Sequence, residues 1–134
     1  MSESEYSIPD DCLYTEQDEW IRWEDDRVII GVTDYAQQQL GDIVFVELPE
    51  PGTQVAAGDP FGVIESVKTV SDLFAPITGE IVTINTDLAE TPEAVNDDCY
   101  GDGWMLTIQP ASSDELQGLL SAQDYAQHIK DREE

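Results

Sequence analysis

Runs rich in Val, Ile and aromatic residues recur along this chain, and each is broken by Gly, Pro or paired Asp before it can complete a long helix. That spacing leaves room for short strands and little else, so the expected architecture is a small barrel or sandwich with helices at its periphery. Leu13 to Trp23 alternates as a strand, with Trp20 and Trp23 as candidate anchors of the core or of an interface. Asp25-Asp26 turns the chain into an apolar strand, Val28 to Val32. Thr33 is placed to cap a short helix, Asp34 to Leu40, which Gly41 stops. Further strands are expected at Ile43 to Leu48, Gln54 to Ala56, Phe61 to Val67, Glu80 to Ile84 and Trp104 to Ile108, and a short helix opens at Thr91-Pro92. Ser113 or Ser121 can cap a C-terminal helical segment, Leu116 to Arg132, interrupted at Gly118. Residues 1–12 read as a flexible acidic leader, followed by a single domain over residues 13–134.

Charge narrows the partners. Thirty acidic residues stand against five basic ones, giving a formal charge of -25 and a pI near 4.1. Such a surface repels phosphate backbones and anionic lipid, so neither a nucleic acid nor a membrane is expected as partner. With a hydrophobic fraction of 40% the chain can still build a core and is not expected to be disordered. The acids are dispersed and lysine is depleted, as in halophilic cytosolic proteins, where concentrated salt screens self-repulsion. An acidic patch for a basic partner is the competing reading, but no acidic block stands out.

Cys12 and Cys99 form no metal-type spacing, there is no basic and apolar leader, and no apolar run is long enough to span a membrane. A cytoplasmic protein with reduced thiols is expected. His128 is the only histidine. Histidine-rich metal sites and a Ser-His-Asp triad are therefore not expected, and His128 reads as a solvated helix position.

The chemistry concentrates at Phe61 to Glu80. Two β-branched runs flank Lys68, and a Pro76 to Gly79 turn follows, so the stretch reads as a β-hairpin with Lys68 at or near its tip. Lys68 and Lys130 are the only lysines. An exposed amine on a flexible stem is a natural acylation site. It is equally at home as an edge-strand lysine that discourages edge pairing. The residues alone leave both readings open.

Four motifs, in order, resemble one family. They are Gly31-Val32-Thr33-Asp34-Tyr35-Ala36-Gln37, Leu40-Gly41-Asp42-Ile43-Val44-Phe45-Val46-Glu47-Leu48-Pro49, Glu65-Ser66-Val67-Lys68-Thr69-Val70-Ser71-Asp72, and Asn96-Asp97-Asp98-Cys99-Tyr100-Gly101-Asp102-Gly103-Trp104. All are similar to the glycine cleavage system H proteins, and the third resembles their lipoyl-attachment signature. The resemblance runs from about Tyr14 to the C-terminus. It implies a mainly β fold, a flattened β-barrel or sandwich of the lipoyl/biotinyl hammerhead type with short peripheral and C-terminal helices.

It also implies a carrier without catalytic residues or metal ligands, bearing lipoate in amide linkage on Lys68. The lipoyl group would take an aminomethyl group from glycine at the pyridoxal-phosphate-dependent glycine decarboxylase. The aminomethyltransferase would pass its carbon to tetrahydrofolate, and dihydrolipoamide dehydrogenase would reoxidise the dithiol. A lipoate-attachment enzyme completes the implied partners. Family members dock the loaded arm in a cleft beside the hairpin, and the positions matching that cleft are Glu19, Asp72 and Gln17. Gln17 stands where serine is often found, Asp18 where histidine is usual, and Cys99 where proline is usual. A biotin carrier shares the fold class, but its lysine typically sits between methionines rather than Val67 and Thr69. A lipoyl relay to other enzymes would keep the same lysine. A hydrolase lacks every expected motif.

Overall fold

The computed structural model describes residues 6–133. Nine strands form two sheets, with short helices around them. The first sheet contains β1 (Leu13–Tyr14), β2 (Glu19–Glu24), β3 (Arg27–Val32), β5 (Gln54–Val55), β8 (Gly79–Ile84) and β9 (Leu106–Pro110), in the order β1-β2-β3-β9-β8-β5. The second contains β4 (Ile43–Glu47), β6 (Pro60–Ser66) and β7 (Val70–Phe74), in the order β4-β6-β7. All pairings are antiparallel. The sheets do not close into a barrel, so the flattened sandwich is the form adopted.

Alternation decides what lies between the sheets. Ile21, Val28, Ile30, Leu106, Ile108 and Ile81 from the first sheet meet Ile43, Val46, Phe61, Ile64 and Leu73 from the second in one buried cluster. The first sheet is also covered on its outer face. There Tyr14, Trp20, Ile29, Tyr35, Tyr125 and Ile129 form a second buried cluster under the C-terminal helix α3 (Ala122–Glu133). Tyr14 and Tyr125 stack at 4.7 Å, and Trp20 lies flat on its cross-strand partner Gly31, where an added Cβ would meet the indole at 2.7 Å.

Several boundaries differ from the sequence reading. Leu13 to Trp23 is two strands, because the Thr15 to Glu19 turn interrupts it. Asp18 adopts φ 72° there, and Thr15 Oγ1 accepts from the Gln17 and Glu19 N–H groups. Trp20 is fully buried, whereas Trp23 is 49% exposed. The last strand begins at Leu106 rather than Trp104, and the short helix α2 covers Ala94–Asp97. The C-terminal segment divides into a 3-10 helix at Ser113–Gly118, capped by Ser112, and α3, where the Ser121 hydroxyl accepts from the Asp124 N–H.

Residues 6–12 of the segment expected as a flexible acidic leader are described and make these contacts. Ser7 N–H donates to Asp34, Tyr100 donates to the Ser7 carbonyl and Tyr14 to the Pro9 carbonyl. Cys12 is buried. Residues 1–5 lie outside the described residues.

Helix α1 (Asp34–Leu40) follows its sequence signals. Thr33 Oγ1 accepts from the Ala36 N–H, and Gly41, at φ 83°, ends the helix with its N–H on the Gln37 carbonyl.

Candidate functional site, a hairpin lysine beside a buried carboxyl

Strands β6 and β7 are joined by a tight turn whose outermost residues are Val67 and Lys68. The turn backbone is held on both sides. Ser66 N–H donates to the Thr69 carbonyl at 2.8 Å, and Ser66 Oγ accepts from the N–H groups of Lys68 and Thr69, each at 3.1 Å. Val67 N–H donates to the Asp42 carbonyl at 3.0 Å, which ties the tip to the segment leaving α1. The backbone is thus anchored while the Lys68 side chain stays exposed.

The lysine stem lies toward the C-terminal end of α1. A Cβ at Gly41 would come within 3.2 Å of Lys68 Cε, so the glycine that ends the helix also leaves room for the stem. Its left-handed φ favours glycine on backbone grounds as well. Lys130, the second lysine, sits exposed in the last turn of α3, where a cation complements the helix dipole.

A cleft of about 180 Å³ opens between α1, β7 and the Thr15 to Glu19 turn. Gln17, Glu19 and Asp72 all line it, so positions 55 residues apart in sequence share one wall system with Leu40 of α1 and Leu73 of β7. The two carboxylates differ sharply in environment. Asp72 is exposed on the edge strand β7, paired across to Val63. Glu19 is only 2% exposed. Its Oε1 accepts from the Thr15 hydroxyl at 2.7 Å and its Oε2 from the Phe74 N–H at 3.2 Å.

Burial pushes the Glu19 carboxyl up to about 7, although the bonds from Thr15 and Phe74 favour its charged form. Near neutral pH the group is therefore divided between its two protonation states. A cation entering the cleft would select the ionised one.

Sequence reasoning missed the far wall. Arg132 of α3 lays its guanidinium over the Tyr35 ring at 4.6 Å and donates from both ends to Asp18, at 3.0 and 3.1 Å. It also donates to the Glu16 carbonyl and meets His128 Nε2 at 3.1 Å. The Tyr125 hydroxyl donates to the same Asp18 oxygen and shares a hydrogen bond with Thr33. Asp18 thus fixes the C-terminal helix against the cleft rim, and His128 is partnered rather than simply solvated. An arginine more than a hundred residues from its aspartate carries no local signal in the sequence.

The two thiols take no part in this cleft. Cys12 and Cys99 are buried and unpaired, and burial raises them to about 11 and about 12, which keeps them as inert thiols. Among the described residues no group of three or more His, Cys, Asp or Glu side chains could hold a metal ion, and no helix is long and apolar enough to cross a membrane.

The family model described as "Glycine cleavage H-protein" matches residues 12–132. The chain is 52% identical to the glycine cleavage system H protein of Oceanobacillus iheyensis over 125 residues, covering 93% of this chain and 99% of the relative. It is 51% identical to that of Rubrobacter xylanophilus over 126 residues, covering 94% and 98%. The crystal structure of a glycine cleavage system H protein from Mycobacterium marinum superposes with a TM-score of 0.85 at 43% identity, covering 92% of this chain and 99% of that one. With nearly its whole length matched in sequence and in fold, this chain belongs to the glycine cleavage H-protein family.

Proposed function

We propose that this chain is the lipoyl-bearing carrier of a glycine cleavage system, with lipoate in amide linkage on Lys68. The family's role is that of a non-catalytic carrier subunit. The observation that carries the assignment of the site is the exposed Lys68 amine on a backbone-anchored turn, beside a cleft that holds a buried carboxyl. The residues fit a tethered acyl group. The stem has room over Gly41, and the cleft begins at Leu40, the residue before it.

When bound, the lipoyl group supplies a disulfide that takes up the aminomethyl group of glycine. The chain's own residues supply position. The turn holds the attachment point rigidly, so a group on the lysine is offered at high effective concentration to whichever partner docks. Glu19 and Asp72 receive the ammonium of the cargo by charge-assisted hydrogen bonds, and Val32, Tyr35, Leu40, Ile64 and Leu73 exclude water around it. Gln17, exposed at the mouth, has room for a polar contact. Glycine decarboxylase, the aminomethyltransferase and dihydrolipoamide dehydrogenase are the partners of this cycle, with a lipoate-attachment enzyme before it. The acidity fits a cytoplasm rich in salt.

Intact mass of the natively purified protein, followed by peptide mapping, tests the assignment. A lipoyl adduct on Lys68 is expected. A bare chain, a biotin adduct or modification of Lys130 would overturn it.

A further inference from the structure

The large apolar side chains that stay exposed are concentrated beside Lys68. Among the described residues they are Val67 at 67%, Val70 at 61%, Val44 at 49%, Phe45 at 46%, and Trp23, which lies on the other sheet. Val67 and Val70 bracket the lysine in the turn. Phe45 faces Glu65, which in turn faces Val70, so these three form one row across the outer face of the second sheet.

Val44 belongs to the same surface because of a backbone irregularity. Ile43 pairs with Ser66, but Phe45 pairs with Glu65, so Val44 is an extra residue in β4. Without a bulge, Val44 and Phe45 would point to opposite faces; with it, both are exposed. A bulge that holds a valine in water on a chain of charge -25 needs a partner to account for it.

We infer that Val44, Phe45, Val67 and Val70 form the docking patch for the enzyme that acylates Lys68. This rests on the carrier reading above. Reach selects that enzyme among the partners. Before modification the nucleophile is an amine on a four-carbon stem, so the acylating enzyme must bring its active site down onto the turn itself. Enzymes that act on the far end of a lipoyl arm have no such need. In the step concerned, the deprotonated Lys68 Nζ attacks the lipoyl carbonyl of an activated acyl donor held by that enzyme. An amide forms, and the donor's leaving group departs as the amine loses its second proton.

Charge defines the partner's side. Glu65 sits within the patch, between Phe45 and Val70, while Glu47 and Asp72 flank Val63 in the next row and Asp42 adjoins the turn at Val67; Lys68 is the only basic residue on the second sheet or its turn. The complementary surface is apolar, with one basic group opposite Glu65 and others toward Glu47, Asp72 and Asp42. Because Val44, Phe45, Val67 and Val70 supply apolar contact on both sides of Glu65, docking should survive molar salt that would screen a purely ionic encounter.

The test uses the full chain in its unlipoylated form, with a lipoate-attachment enzyme and its activated donor, in molar potassium chloride. Val44→Thr, Val67→Thr and Val70→Thr combined exchange three methyls for hydroxyls while keeping the β-branched shape. Phe45→Ser is made separately. Unfolding midpoints check that each variant is folded, and intact mass follows the adduct. The expected result is a fall of roughly tenfold in kcat/KM for lipoylation in each variant, expressed mainly in KM. Once driven to completion, the lipoylated variants should be reduced by dihydrolipoamide dehydrogenase within about twofold of the unsubstituted rate. An unchanged lipoylation rate overturns the inference. Equal loss in both reactions makes the patch a general interface and overturns its assignment to the acylating enzyme. Dissociation of a dimer on substitution assigns it to a second copy instead. If the unsubstituted chain takes up no lipoyl group, the carrier reading itself fails.

Discussion

Replacing Glu19 by Gln removes a carboxyl that is 2% exposed, and its consequence is a change in how stability depends on pH. Folding carries this group from an ordinary glutamate value of 4.5 to about 7. The folded state therefore holds the Glu19 proton more tightly than the unfolded chain does. Its contribution to stability is fully present below pH 4.5 and is lost as pH rises through about 7. At about 1.36 kcal/mol per pH unit the whole effect is about 3 kcal/mol, of which about 2.5 kcal/mol falls between pH 5 and pH 8. Glutamine does not titrate, so the difference in unfolding free energy between the two proteins should move by about that amount in favour of Glu19→Gln as pH rises from 5 to 8. The amide also loses one of two good hydrogen bonds. If its oxygen accepts from Phe74, its NH2 must face a Thr15 hydroxyl that already accepts from two backbone N–H groups. That offset of about 1 kcal/mol is nearly constant with pH and does not obscure the slope. Urea unfolding of both proteins at fixed molar potassium chloride supplies the measurement, and the constant salt cancels the many shared surface carboxylates. A difference that stays flat within about 0.5 kcal/mol from pH 5 to pH 8 would refute the burial argument.

Four further outcomes are expected. Lys68→Arg should abolish lipoylation while shifting stability by less than about 0.5 kcal/mol, since the side chain is exposed; intact mass and thermal unfolding read both. Glu19→Gln, once lipoylated and loaded with cargo, should release ammonia faster than the unsubstituted carrier although attachment to Lys68 is unaffected. An equal release rate would remove Glu19 from the docking role. Asp18→Asn should cost about 1 kcal/mol by breaking the two-ended contact with Arg132, and limited proteolysis should then cut the C-terminal helix sooner. Stability should rise from millimolar to molar potassium chloride as the screening distance falls from ~30 Å at 0.01 M to ~3 Å at 1 M; a flat or falling denaturation midpoint would separate the acidity from salt adaptation.

Features legible in the sequence share one property, which is that their causes are local. Thr33 caps α1 and Gly41 ends it because each acts on backbone groups within a single turn. The hairpin around Lys68 was legible because strand propensity on both sides leaves the chain only a turn between them. The interruption at Thr15 to Glu19 was not, since the alternation from Leu13 to Trp23 continues through it. What breaks the strand is Thr15 Oγ1 collecting two backbone N–H groups, an arrangement no pattern of apolar residues encodes. The bulge at Val44 was hidden for a similar reason, because it is defined only by the partner strand β6.

Sequence by itself determined that the chain is built of short strands, that its surface is strongly acidic, and that Lys68 stands at a turn as one of two lysines. It could not distinguish Glu19 from Asp72, which read as two of thirty acids. The tertiary structure separated them by sinking Glu19 against Thr15 and Phe74 while leaving Asp72 on an open edge strand, and by bringing Arg132 across from the far end of the chain. Burial is a property of everything packed around a group, so the ionisation of a carboxylate is set by neighbours distant in sequence, whereas a cap or a turn is set by neighbours a few residues away.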